Sequence, residues 1–280
     1  SATLWSVLMQ FSATILFNEQ VAPGYWRIRL SAPAAFAQAE PGQFVMVRIA
    51  DAIEPLLRRP FAVFDAGMQD APTPAAQPQA WFEMLYHVVG TGTAKLASLL
   101  AGQTVDILGP LGTGFVTGAA DEDKLLVGGG IGLAPLHLLA KSLLAQKATV
   151  HLFAGGRSRE DVLCFDDFAQ LGATCHAATN DGSFGEAGFV TAPLTRYLDQ
   201  LQGKATIYAC GPTPMLRAVA QLAAARDVPC QVSLEGYMAC GVGACLGCVA
   251  EGHNHSQQTP DFRCVCTEGP VFDSRELKWE

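Results

Sequence analysis

Cys240, Cys245 and Cys248 stand in C-x4-C-x2-C spacing inside the stretch Ser233–Cys248. That spacing matches the first three thiolates of a [2Fe–2S] centre, which needs a tight loop that turns several sulfurs inward and lets backbone N–H groups reach them. Bulky side chains would obstruct such a loop, and Gly241, Gly243, Ala244 and Gly247 keep it slim. Glycine also reaches positive φ at low steric cost. A fourth thiolate is available downstream at Cys264 or Cys266. The same cysteines could hold a structural zinc, but zinc ribbons pair two short C-x2-C knuckles across a spacer, whereas three candidates crowd here into one loop. Unligated buried thiols are the third reading. His253 and His255 lie outside the cysteine loop and read as polar residues of a solvated spacer, Glu251 to Asp261.

Two further motifs suit phosphate-bearing cofactors. Leu57-Arg58-Arg59-Pro60-Phe61-Ala62-Val63 sets an arginine beside a proline at a strand edge, where a planar guanidinium can grip a diphosphate bidentately. Alone, such a pair is more often a solvated edge. It gains weight from Val89-Gly90-Thr91-Gly92-Thr93-Ala94, which opens an apparent helix, Thr93–Leu100, because backbone donors at a helix start attract anions. Further along, the strand Lys124–Val127 runs into Gly128-Gly129-Gly130-Ile131-Gly132-Leu133-Ala134-Pro135, then into the helix Leu136–Gln146 and the strand Ala148–Ala154. This βαβ unit implies a parallel sheet and a pyrophosphate site at the helix N-terminus. It departs from the G-x-G-x-x-G fingerprint, for Pro135 stands at the last glycine and no acid ends the second strand. Gly155, Gly156, Arg157 and Arg159 occupy that place and leave a phosphorylated ribose open. Cys210 ends the buried strand Thr206–Ala209, ahead of Gly211-Pro212. Ligands collect at such strand ends in open α/β sheets, although most free cysteines are small buried hydrophobes.

Three units are expected to position these residues: a flavin-binding antiparallel β-barrel over 1–118, a nucleotide-binding α/β domain over 119–230, and a small iron–sulfur module over 231–280. The first follows from six short strands, Phe11–Phe17, Tyr25–Leu30, Gln43–Ile49, Pro60–Phe64, Trp81–Val89 and Thr104–Leu108, between Pro/Gly turns. The Pro-rich stretch Ala66–Ala80 reads as an outer loop. The 280 residues are half apolar and 16% charged, so a large core is available. A net charge of −8 without any Lys/Arg run argues against a nucleic-acid partner. No apolar run reaches the ~20 residues of a membrane helix, and the opening Ala2–Phe17 lacks the marks of a signal peptide. Nine cysteines without a disulfide framework point to a reducing cytoplasm.

These motifs together resemble the ferredoxin–NAD(P) reductase superfamily. Within it, Met238–Cys248 and Val265-Cys266-Thr267-Glu268-Gly269-Pro270-Val271-Phe272 resemble the electron-transfer subunits of NAD-dependent dihydroorotate dehydrogenase, over about Met9 to Phe272. The resemblance implies FAD, a [2Fe–2S] cluster and NAD in a heterotetramer with an FMN-containing catalytic subunit that oxidises dihydroorotate, in pyrimidine biosynthesis. It implies FAD contacts at Arg59, Pro60, Phe61, Ala62, Leu85, Tyr86 and His87, with the phosphates at Gly92 and Thr93. NAD falls to Gly128, Gly129, Gly130 and Gly132, with Cys210 lining the nicotinamide pocket. Cluster ligands become Cys240, Cys245, Cys248 and Cys266, the last favoured over Cys264 because the family's final cysteine precedes x-x-Gly-Pro-Val-Phe. Ala62 replaces a usual hydroxyl residue, His87 a frequent arginine and Asn180 a frequent acid. Apolar residues near Leu246 and Phe272 are the expected docking surface. The alternatives are a related NAD(P)H reductase subunit serving a ferredoxin, sulfur or hydrogenase partner, and a zinc-stabilised nucleotide-binding regulator.

Overall fold

A computed structural model describes residues 8–49, 54, 56–69, 79–119, 121–256 and 258–279. The N-terminal part is an antiparallel half-barrel of β1 (Met9–Ala22), β2 (Tyr25–Ala32), β3 (Phe44–Arg48), β4 (Arg59–Ala62), β5 (Asp65–Gln69), β6 (Gln79–His87) and β7 (Thr104–Leu111). Their order is β4-β3-β7-β1-β2-β6-β5. Period-two alternation builds its core: Ile28 and Leu30 of β2 are fully buried, while Arg27 and Arg29, which alternate with them, point to the opposite face. There both guanidiniums hold Glu83 of β6, whose side chain is fully buried, at 2.5 Å and 2.6 Å. A buried carboxylate needs such pairing.

The seventh strand is a departure from the sequence reading. Asp65–Gln69 opens the stretch expected to be a loop, whose middle, 70–78, lies outside the described residues. Gly67 and Met68 make a poor strand signal on their own, but Gly67 pairs with Trp81, and a Cβ at Gly67 would come within 2.8 Å of the indole. The indole fills the space that the missing side chain leaves. Helix α1 runs over Thr91–Ala97, slightly earlier than its expected span.

The second sheet comprises β8 (Asp123–Gly129), β9 (Val150–Gly156), β10 (Thr174–Thr179), β11 (Glu186–Ala187), β12 (Ala205–Cys210), β13 (Cys230–Ser233) and β16 (Val271–Asp273). Its order is β11-β10-β9-β8-β12-β13-β16, parallel except for the β13–β16 pair. Helices α2 (Ala134–Ala145), α3 (Phe165–Leu171), α4 (Thr191–Gln200) and α5 (Thr213–Ala224) connect the strands. The order reverses between β8 and β12, so their carboxyl ends frame the crevice where an open α/β sheet binds ligands. The hairpin β14 (Val249–Glu251) with β15 (Phe262–Cys264) lies in the chain between β13 and β16.

One core joins Phe44, Met46 and Leu111 of the half-barrel to Val127 and Ile207 of the parallel sheet and to Cys248, Cys266 and Phe272. Polar bridges reinforce it: Arg27 to Asp167 at 2.7 Å, Lys141 to Asp65 at 2.7 Å, and the Tyr25 hydroxyl to Asp161 at 2.9 Å. Among the described residues, no helix is long and apolar enough to cross a membrane.

Candidate functional site

A cavity of about 630 Å³ opens where the sequence-predicted glycine turn meets the half-barrel. Tyr25 and His87, stacked with centroids 4.3 Å apart, form its half-barrel wall. Gly129, Gly130, Arg157 and Asn180 face them from the α/β side. The four glycines of the turn divide by task. A Cβ at Gly128 would meet Leu133 at 2.4 Å, and one at Gly132 would lie 2.3 Å from the Cys210 carbonyl oxygen, so these two let the turn pack against its own helix and strand β12. Gly130, at φ +56°, has nothing near its missing Cβ and leaves the cavity floor open. Cys210 sits between Gly128 and Ser233 in the strand register, is 3% exposed, and lies beneath the cavity rather than on its wall. Burial pushes its thiol far above the ordinary range.

Asp161 sets the charge at the end of β9. Its carboxylate takes the Arg157 Nε at 2.8 Å, Nη2 at 3.2 Å and backbone N–H at 3.1 Å, as well as the Tyr25 hydroxyl. The Arg157 guanidinium beside it brings the Asp161 pKa down to about 2, and burial together with that carboxylate pushes Tyr25 up to about 12. Arg159 lies over the Phe184 ring at 4.1 Å. Both cations at this strand end therefore have partners already. A larger cavity of about 740 Å³ nearby is lined by Arg159 but also by Glu160, Asp166, Asp167 and Asp181, an excess of carboxylates ill suited to a nucleotide phosphate.

The Arg-Arg pair separates in space. Arg58 pairs with Asp106 and donates to its carbonyl at 3.1 Å, bracing β7. Arg59 crosses instead to the start of α1, where a Cβ at Gly92 would stand 3.1 Å from its Nε. The glycine–threonine turn and the arginine, separate motifs in the chain, thus meet. Thr93 Oγ1 accepts the N–H groups of Val89 and Gly90 at 3.0 and 3.2 Å, capping its own turn. Pro60, Phe61 and Ala62 continue along β4, half-buried. Leu85 and Ala62 join Phe64 and Ala134 in an apolar patch between the half-barrel and the start of α2. Tyr86 points the other way, into the half-barrel core, with its hydroxyl donating to Asn18 at 2.8 Å.

The five cysteines near the C-terminus fall into two groups. Cys240 and Cys245 share the glycine loop. Burial opposes ionisation of Cys240, but the N–H groups of Val242, Cys245 and Ala244 outweigh it and bring the thiol down to about 7. Cys248, Cys264 and Cys266 hold their sulfurs within 4.8 Å of one another. Gly243 N–H points at the Cys266 sulfur from 3.2 Å, linking the groups. Amide donors aimed at sulfurs, with thiols converging from a loop and a hairpin, fit an iron–sulfur cluster. His253 and His255 stand apart; His255 Nδ1 accepts the Asp261 N–H. Gly241, at φ +74°, presses the loop onto the half-barrel: its Cβ would meet Met46 at 2.5 Å.

Two expectations change. Phe272 is 4% exposed within β16 and belongs to the core, so it offers no docking surface. Leu246 is 63% exposed, as expected of a docking residue, and Tyr237, 95% exposed ahead of the loop, is a second exposed apolar side chain that the sequence reading overlooked. Glu235 was missed as well. It lines the cavity near Cys210, and desolvation holds its carboxyl above the ordinary range. Its only signal was its place just ahead of the cysteine loop.

The family described as the iron–sulfur cluster binding domain of dihydroorotate dehydrogenase B matches residues 235–278, and that of the oxidoreductase NAD-binding domain matches residues 126–221. The dihydroorotate dehydrogenase B (NAD(+)) electron transfer subunit of Desulforamulus reducens is 37% identical over 270 residues, covering 96% of this chain and 98% of its own. The protein of that name from Geobacillus kaustophilus is 40% identical over 266 residues, covering 94% and 96%. Among solved structures, an NADH-dependent reduced ferredoxin–NADP oxidoreductase studied for flavin-based electron bifurcation superposes with TM-score 0.80 at 27% identity, over 95% of this chain and 90% of that one. The ferredoxin reductase of carbazole 1,9a-dioxygenase shares the fold at TM-score 0.64 and 21% identity, over 79% and 67%.

Proposed function

The chain belongs to the electron transfer subunits of dihydroorotate dehydrogenase B, and on that footing we propose that it carries electrons from an FMN-containing, dihydroorotate-oxidising catalytic subunit through a [2Fe–2S] cluster and FAD to NAD⁺, within a heterotetramer serving pyrimidine biosynthesis. When bound, the flavin couples one-electron exchange with the cluster to two-electron exchange with the nicotinamide. The observation that carries the reading is the arrangement around Met46. Gly241 of the cysteine loop packs on this residue, and its cross-strand partner is Pro60 of the flavin strand. One strand therefore separates the cysteine loop from the flavin motif.

The residues divide the work. Arg59 and the N–H groups at Gly92 and Thr93 hold the flavin diphosphate; Pro60, Phe61, Ala62, Leu85 and His87 flank the ring, and Tyr86 contributes backbone alone. Gly129 and Gly130 admit the coenzyme, while Gly128 and Gly132 let the turn close beneath it. Cys210 supports the nicotinamide from below. Cys240, Cys245, Cys248 and Cys266 hold the cluster, and Tyr237 with Leu246 meets the partner subunit. In this reading 1–118 binds FAD, 119–230 binds NAD and 231–280 binds the cluster. Adjacent free thiols suit a reducing compartment, the cytoplasm.

The test is the visible spectrum of anaerobically purified protein before and after NADH, then with the partner and dihydroorotate. Flavin and iron–sulfur bands that bleach together support the relay. A protein with zinc and no flavin overturns it in favour of a nucleotide-binding regulator. Bleaching by NADH that dihydroorotate and the partner cannot reproduce removes the dihydroorotate route.

A further inference from the structure

The cluster needs four thiolates, two for each iron, and five cysteines stand in the C-terminal segment, three of them with sulfurs within 4.8 Å of one another. The loop pair Cys240 and Cys245 supplies one side. Three thiols compete for the other. Cys264 Sγ lies 3.7 Å from Cys266 Sγ and 3.9 Å from Cys248 Sγ. We propose that Cys264 is a reserve ligand of the iron–sulfur centre, able to replace Cys266 on the iron that Cys248 also holds. The proposal rests on the iron–sulfur reading above.

Backbone geometry fixes this third thiol in place. Cys264 ends β15, and its register partner is Val249, directly after Cys248, so the hairpin itself sets the two sulfurs side by side. Its carbonyl accepts the N–H groups of Thr267 and Glu268 at 3.1 and 2.8 Å, and its own N–H donates to Glu268 Oε2 at 2.5 Å. That turn presents Cys266. Exchanging one sulfur for the other then requires movement within a single short turn, while β15 stays paired. All three thiols are at least nine-tenths buried, so the exchange takes place away from bulk water. In the exchange the Fe–S bond to Cys266 breaks and one to Cys264 forms. The Cys264 thiol proton passes to the released Cys266 thiolate, and the iron keeps its oxidation state. The competing reading makes Cys264 a small apolar filler, which is the common fate of a buried cysteine.

The experiment compares iron and acid-labile sulfide per flavin, absorption, and the electron paramagnetic resonance of the reduced cluster in four anaerobic full-length holoproteins: wild type, Cys266→Ala, Cys264→Ala, and the double variant. The proposal expects about two irons per flavin in the wild type and in each single variant, a shifted resonance in Cys266→Ala, and loss of the cluster in the double variant. Cys266→Ser guards against a packing failure, because serine keeps the size: takeover by Cys264 leaves its spectrum like that of Cys266→Ala, without the blue shift of an alkoxide ligand. Cys266→Ala that binds flavin but no iron overturns the proposal, as does a Cys264→Ala that loses its iron. A wild type without iron sinks the underlying iron–sulfur reading instead, so the two failures are separable.

Discussion

Replacing Asp161 with asparagine should both weaken the fold and loosen coenzyme choice. The substitution keeps the size and one acceptor but removes the charge that gathers Arg157 and Tyr25. A carboxyl drawn from 3.8 to about 2 corresponds to at most ~2.5 kcal/mol of stabilisation. The Arg157 side chain is 80% exposed, so solvent screens the pair and a loss of ~1 kcal/mol is expected at neutral pH. Because the folded pKa is depressed, the contribution is present in full above 3.8 and fades as pH falls through about 2. The difference between wild type and variant should therefore close over that window. Denaturant unfolding of the flavin-loaded proteins at several pH values measures it. The second consequence concerns the coenzyme: a guanidinium released at the end of β9 becomes available to a ribose phosphate. One new charge-assisted contact at this exposed site should shrink the preference for NADH over NADPH in kcat/KM by about fivefold. Adding Arg157→Ala should restore it. Unchanged stability together with unchanged discrimination would refute the view that Asp161 restrains this arginine.

Three other outcomes follow from the geometry. Gly132→Ala should cost ~2–3 kcal/mol, because its Cβ would strike the Cys210 carbonyl at 2.3 Å, whereas Gly130→Ala, with open space at φ +56°, should cost only ~1 kcal/mol; thermal melts in the reverse order would contradict the division of labour in the turn. Leu246→Asp and Tyr237→Ala should each weaken association with the catalytic subunit by tenfold or more while leaving flavin and iron content intact; undiminished affinity in a titration would remove this surface from the interface. His137, His151 and His176 are all held below 6.5, chiefly by burial, so the unfolded chain takes up protons that the fold refuses, and stability should decline as pH drops below 6.5. Unfolding free energies that stay flat between pH 7 and 5 would show that these rings protonate freely in place.

The parts legible in the sequence are those whose geometry is local. The cysteine loop and the glycine turn each carry their spacing within a dozen residues, and the βαβ pattern around Gly128–Gly132 announces a parallel sheet. Features made by distant residues left no such trace. Nothing in Arg59 or Gly92 alone says that one lies against the other, and β5 exists because Trp81 fills the space over Gly67. Phe272 misled for a related reason: its place after the last cysteine carries no sign of β13, the distant strand that pairs with its own and buries it. Tyr25 opens β2 of the half-barrel and Asp161 ends the short turn after β9, and only their meeting marks either as part of the crevice.

The pairing of β13 with β16 has a consequence for how the centre is put together. Ser233 and Val271 are register partners, so the stretch between them leaves the parallel sheet and returns to the same ladder. Strand pairing thus helps to meet the entropy of closing that long loop. The β13–β16 ladder ties both ends of the cysteine-bearing segment to the sheet that lines the coenzyme crevice, so the two sites share one scaffold.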